Sequence, residues 1–329
     1  MLSNIEKSLL NTIAYYNELD YPMTAFEVWK HLAVINEQNA SEQEKLSKLS
    51  LADIIKALES EELRKYIEES RGFYFLKGRK DLVNLRLGRS KISSQKLKKL
   101  RKIVWLLRLV PFVRMVGATG RIAMKNAERN SDWDLFVICK KGKIWTGRTL
   151  ITALVHALGK RRYGDRIKDR ICLNYFITDE SLKINIENRL FEINLFSASE
   201  YSFMIPLFGF KKYRKFQIRN SWIRDFNPNY TLTEAKNAGV VPDTHFSKTV
   251  RKCGEKLLGF DFIENFLRKF ETERIAKNPK THISGSIIEA NDEALVFLPE
   301  PQGKEIYDKT VAKLEKLSAI RTVAHPTVK

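Results

Sequence analysis

Apolar residues recur at helical spacing from the start of the chain: Leu2, Ile5, Leu9, Ile13 and Tyr16 predict an opening helix. Tyr21-Pro22 interrupts it, and Thr24 followed three residues later by Glu27 is a capping-box signature for a second helix running through Leu32. Residues 33–49 are polar and read as a loop. Ser50 is placed to cap a third helix in which Ile54, Ile55 and Leu58 face a core. Tyr66 to Leu76 then reads as two short strands about a turn. Residues 84–110 form a longer amphipathic helix, with Leu97, Leu100, Ile103, Val104 and Leu107 on one face and Pro111 ending it.

The pattern changes after Pro111. Phe112 to Val116 is strand-like and runs into Gly117-Ala118-Thr119-Gly120, a short helix is predicted over residues 121–127, and residues 132–138 read as a second strand. Trp145, Leu150, Ile151, Leu154, Val155 and Leu158 form a helical stripe, and Ile171 to Ile177 is another strand. Beyond Phe196 the chain reads as mostly helical. One stripe there comprises Leu257, Leu258, Phe262, Ile263, Phe266 and Phe270, and another comprises Ile306, Val311, Leu314 and Leu317. The order predicts an α/β (α+β) protein with a small mixed sheet and helices on one face of it. The expected divisions are residues 1–83, a linker helix over 84–110, a core over 111–200 and a mainly helical region over 201–329.

Helix, helix, helix, hairpin is the winged-helix order, so residues 1–83 are expected to be a winged-helix-like domain. Charge changes what that domain is expected to do. Net charge is +19, yet residues 1–70 carry 7 Lys+Arg against 13 Asp+Glu, while residues 71–170 carry 27 against 6. The third helix, which would be the DNA reader, is acidic through Asp53, Glu59, Glu61 and Glu62, and phosphates repel it. An interaction or scaffolding role is favoured over DNA reading. The basic centre attracts polyanions, so nucleic acid or nucleotide phosphates are its expected partners.

Three scattered cysteines suggest neither disulfides nor a zinc cluster, and they fit a reducing cytoplasm. No signal peptide and no membrane-spanning segment are predicted, so a cytoplasmic location without membrane contact is the expectation. The five histidines show no metal-ligand spacing, and His156 reads as a core residue. Lys211 to Phe216 with Arg219, Trp222 and Arg224 mixes cations with aromatics, and Phe216 and Trp222 are expected to face a core.

The candidate chemistry lies between residues 111 and 138. Two glycines at a strand end allow a tight turn and close approach of a phosphate. Strand alternation puts Asp132 and Asp134 on one side, roughly 6.5–7 Å apart, where two carboxylates can hold Mg²⁺ against a triphosphate.

This segment resembles the signature of the polymerase-beta-like nucleotidyltransferase superfamily, in particular bacterial nucleotidyltransferase-domain proteins. The matching positions are Gly117, Thr119, Gly120, Ala123, Asn126, Ala127, Ser131, Asp132, Asp134 and Leu135. The match is specific over about residues 111–200. It implies a magnesium-dependent transferase that moves a nucleoside monophosphate from ATP or another NTP to an unidentified small molecule, protein or RNA. Asp132 and Asp134 would be the catalytic, metal-binding carboxylates. Gly117, Thr119, Gly120, Arg121 and Ser131 would bind nucleotide, with Lys125, Arg161 and Arg162 as nearby cations.

Two positions depart from the family pattern. Arg121 replaces the serine that follows the second glycine. On the strand that usually supplies a third carboxylate the sequence offers Asn174, with Glu192 and Asp169 as substitutes. The departures keep a second reading open, a catalytically degenerate nucleotide- or RNA-binding protein whose winged helix recruits a partner. A third reading, a winged-helix transcriptional regulator, is opposed by the acidic third helix.

Overall fold

The computed structural model describes residues 2–35, 40–187, 189–230 and 239–323. The N-terminal unit begins with α1 (Asn4–Asn17), capped by Ser3 in a reciprocal box with Glu6. A two-residue strand, β1 (Met23–Thr24), leads into α2 (Ala25–Lys30), where the Thr24–Glu27 capping box forms as expected and the helix stops two residues short of Leu32. Residues 40–47, expected as loop, form α3 (Ala40–Ser47). Strong helix formers such as Glu44, Lys45 and Leu46 occupy it, and Leu46 is buried. Residues 36–39 of the expected loop lie outside the described residues.

Ser50 caps α4 (Leu51–Leu58), which buries Ile54 and Leu58 but leaves Ile55 38% exposed, contrary to expectation. The hairpin is β2 (Ile67–Ser70) and β3 (Phe73–Leu76), and the three strands pair antiparallel in the order β1-β3-β2.

The long helix α5 (Asp81–Leu107) leads to β4 (Val113–Ala118), a single-turn helix α6 (Gly120–Ala123), β5 (Trp133–Cys139), α7 (Ile144–Ala157) and β6 (Ile171–Thr178). Then come α8 (Phe191–Phe203), β7 (Ile205–Phe208), α9 (Phe210–Arg219), α10 (Ile223–Phe226), α11 (His245–Leu258) and α12 (Asp261–Ala276). A hairpin of β8 (Ile287–Ala290) and β9 (Ala294–Leu298) precedes α13 (Gly303–Val323). The region beyond Phe196 therefore contains three strands as well as helices. They complete a six-stranded sheet in the order β7-β4-β5-β6-β9-β8, in which only β5 and β6 run parallel.

Helices cover both faces of this sheet, not one. The cause is legible in β5, which is apolar on both sides: Leu135, Val137 and Cys139 join the cluster with α5 and α7, while Phe136 and Ile138 join the cluster with α8 and α9. That second cluster also takes in Leu9, Ile13 and Tyr16 of α1, so the N-terminal unit and the sheet share one core. The His31 ring stacks on Phe203 at 3.8 Å between centroids, beside a His31–Ser202 hydrogen bond.

The α11–α12 stripe points outward: Leu257, Phe262, Phe266 and Phe270 are all more than half exposed. These helices dock through their acids, together with Leu267 and Ile275 of α12, which pack against the core. Glu255 pairs with Arg114, Glu271 pairs with Arg148, and Glu264 accepts from the Trp145 and Thr146 amides at the start of α7. His156 is exposed rather than core, whereas Phe216 and Trp222 are buried as expected. No helix among the described residues is long and apolar enough to cross a membrane.

Candidate active site

Asp132 immediately precedes β5, and Asp134 is its second residue, lying opposite Cys172 on parallel β6. The Thr119 amide donates to the Asp134 carbonyl at 3.0 Å, tying the end of β4 to the carboxylate strand. Gly120 then turns with φ +61°, and a Cβ there would stand 2.6 Å from Asp134 Oδ2. Only glycine satisfies both the backbone and the approach. Gly117 acts one layer deeper, where a Cβ would press on Met115 and Met204.

The two carboxylates come together as the spacing predicts. One oxygen each from Asp132 and Asp134 and the Cys172 sulfur lie within 4.8 Å of one another. Arg162 donates to Asp132 Oδ2 at 2.5 Å. Burial, then repulsion from Asp132, pushes the Asp134 carboxyl up to about 7 against the pull of Arg162. Glu200 on α8 is pushed up to about 8, first by burial and then by the charge of Asp134. Burial and the two aspartates raise the Cys172 thiol to about 12, so it is neutral at ordinary pH and no hard-cation ligand.

These groups line one cleft of about 640 Å³. Thr119, Gly120, Arg121, Ser131 and Asn174 also line it, as do Arg161 and Arg162 from the crossover between α7 and β6. Glu192 does not: it opens α8, two turns before Glu200. Asp169 ion-pairs with Lys96 and Lys99, and neither it nor Lys125 lines the cleft. The Arg121 guanidinium is held by Glu128 at 2.7 Å.

The loop that carries the chain into Asp132 is gripped by one face of α5. Arg86 donates to the Met124 and Lys125 carbonyls, and Arg89 pairs with Glu128. Ser93 accepts from the Ala127 amide at 2.9 Å. The Lys96 ammonium, 4% exposed, donates to Ser131 O at 2.7 Å and Arg129 O at 3.1 Å. Much of the basic excess in α5 is therefore structural.

Sequence reasoning missed Cys172, Glu200 and the ion pairs of Arg148 and Arg274 with Glu271 at the far side of the cleft. Cys172 stands two residues before Asn174, hence on the same strand face. Glu200 is the second of two acids in α8, after Glu192, and no local pattern sets it apart from the first. Comparisons with protein-family models, curated proteins and solved structures find no match for this chain.

Proposed function

We propose that the chain is a nucleotidyltransferase, moving a nucleoside monophosphate from an NTP to an acceptor with a divalent cation. The observation that carries this reading is the pair Asp132 and Asp134, side by side in a cleft with the Gly120 turn pressed against Asp134. The donor set fits a hard cation: two clustered carboxylates, one of them raised to about 7 by burial and by the charge of the other. Asp132 and Asp134 would hold Mg²⁺, with Cys172 outside the ligand set. A bound cation supplies neutralisation of phosphate charge.

The chain's own groups then divide the work. Arg161 and Arg162 bring positive charge to the phosphates in the same cleft. The acceptor oxygen forms its bond to the α-phosphorus, the bond to the β-phosphate breaks, and pyrophosphate leaves. Glu200 is the group assigned to take the acceptor proton, because a carboxyl near 8 is effective close to neutrality. The order of α1, β1, α2, α4 and the β2–β3 hairpin supports reading the N-terminal unit as a winged helix that recruits a partner.

Two features favour binding without turnover: the neutral Cys172 beside Asp134 and the engagement of Arg121 with Glu128. One experiment separates the readings. Labelled NTPs, Mg²⁺ and a cell extract are incubated with wild type and with the Asp132→Asn/Asp134→Asn variant. Transfer that the variant loses by on the order of a hundredfold or more supports the enzyme. NTP binding without transfer supports the sensor, and transfer retained by the folded variant sinks the assignment of both aspartates.

A further inference from the structure

The far side of the cleft carries charge that the aspartate pair does not use. Arg148 on α7, Arg161 on the crossover and Arg274 on α12 all line it, together with Glu271 and, beyond Phe297, Glu300. Glu271 is shared: it pairs with Arg148 through one oxygen and with Arg274 at 3.1 Å through the other. Three cations therefore gather about one shared anion, and they still outnumber the carboxylates when Glu300 is counted. Arg148 is 7% exposed, its plane lies over the Phe297 ring at 4.7 Å, and its buried Nε has no hydrogen-bond partner. Arg161 makes no hydrogen bond or ion pair among the described residues, and burial with the neighbouring charge of Arg148 pulls its guanidinium below the usual arginine range.

Like charges gathered in a partly buried cleft oppose folding unless something compensates them. An unsatisfied buried donor adds to that cost. Guanidinium groups match the several oxygens of a phosphate in geometry, and a phosphate can accept from more than one of them at once.

We infer that Arg161, Arg274 and Arg148 form a phosphate-binding subsite in the same cleft as Asp132 and Asp134. The inference rests on the nucleotidyltransferase reading for what the phosphate belongs to. It is either the outer phosphates of the NTP or a phosphate on the acceptor, which would make the acceptor a phosphorylated molecule. Arg161 is the discriminating residue, because among the described residues it makes no hydrogen bond or ion pair that a substitution would break. Arg148 is left unchanged in the test, since removing it strands Glu271 in a buried position.

The experiment is calorimetric titration of wild type, Arg161→Gln, Arg161→Lys and Arg274→Gln, first with the α,β-methylene analogue of ATP and Mg²⁺. Inorganic phosphate is then titrated into protein saturated with that analogue. Neither titration needs turnover, so a failed transfer assay and a failed subsite give different results. If the subsite holds the nucleotide tail, Arg161→Gln weakens the analogue by on the order of tenfold or more and Arg161→Lys recovers part of the loss. If it holds an acceptor phosphate, the analogue binds all variants alike and Arg161→Gln abolishes binding of inorganic phosphate to the saturated protein. Overturning it takes either of two results: wild type that binds neither probe, or affinities for both probes that are unchanged in Arg161→Gln and in Arg274→Gln.

Discussion

Helix α5 and the crossover at residues 160–170 are both basic, and they use their cations in opposite ways. On α5, Arg86, Arg89 and Lys96 are buried, and each is committed to carbonyls or carboxylates of the loop before Asp132. On the crossover, Arg162 reaches Asp132 and the Cys172 sulfur, both in the cleft, and Arg161 reaches nothing among the described residues. Charge of the same sign in the sequence thus becomes architecture in one place and unspent field in the other. The difference is one of partners: the first set meets carbonyls and acids that the fold cannot move away, and the second opens onto a cleft.

The sharpest way to break this contrast is Lys96→Met. It strands the Ser131 and Arg129 carbonyls and leaves Asp169 with only Lys99, so a loss of about 3 kcal/mol is expected, read as a fall in Tm in thermal denaturation. If Tm holds, α5 does not brace the loop. Transfer activity should fall with it, because Asp132 follows that loop directly.

A smaller effect is expected from pH. Asp134 near 7 and Glu200 near 8 bind protons in the folded state that the unfolded chain has released above about pH 4. Folded protein therefore holds more protons across this window, and stability falls as pH rises from about 5 to 8. The groups facing Asp134 are Asp132, Arg162, Cys172 and Glu200. Thermal denaturation without metal should decline over that range and Asp134→Asn should flatten the slope. Mg²⁺ should stabilise wild type more at pH 8 than at pH 5, and equal stabilisation at both would argue against Asp134 as a ligand.

The smallest effect on stability belongs to Arg161→Gln, which is expected within about 0.5 kcal/mol of wild type while phosphate binding changes. Destabilisation comparable to Lys96→Met would mean that Arg161 is architectural too, and the contrast between the two stretches would disappear.

How much of the site was legible follows from distance along the chain. Asp132, Asp134, Gly120 and Thr119 were legible because strand alternation and a glycine turn act within a few residues. The capping boxes at Thr24 and Ser50 were legible for the same reason. The helical stripe of α12 misled, since periodicity identifies a face without saying which side is docked, and here buried Glu264 and Glu271 set the orientation. Glu192 was named where Glu200 lines the cleft, because a two-turn displacement along α8 is invisible until that helix is seated on the sheet. β8 and β9 were absorbed into a helical expectation, as strands of four and five residues carry little pattern of their own.

By itself the sequence determined the strand spacing of the two aspartates, the glycine turn beside them, the helix starts and the basic centre. Each of these depends on contacts between near neighbours or on composition alone. Only the tertiary structure decided that both sheet faces are covered, that Cys172 and Glu200 join the aspartates, and that Lys96 is ion-paired while Arg161 has no such partner among the described residues. Those outcomes depend on partners tens of residues away, and a charge is spent or free according to what the fold brings within reach of it.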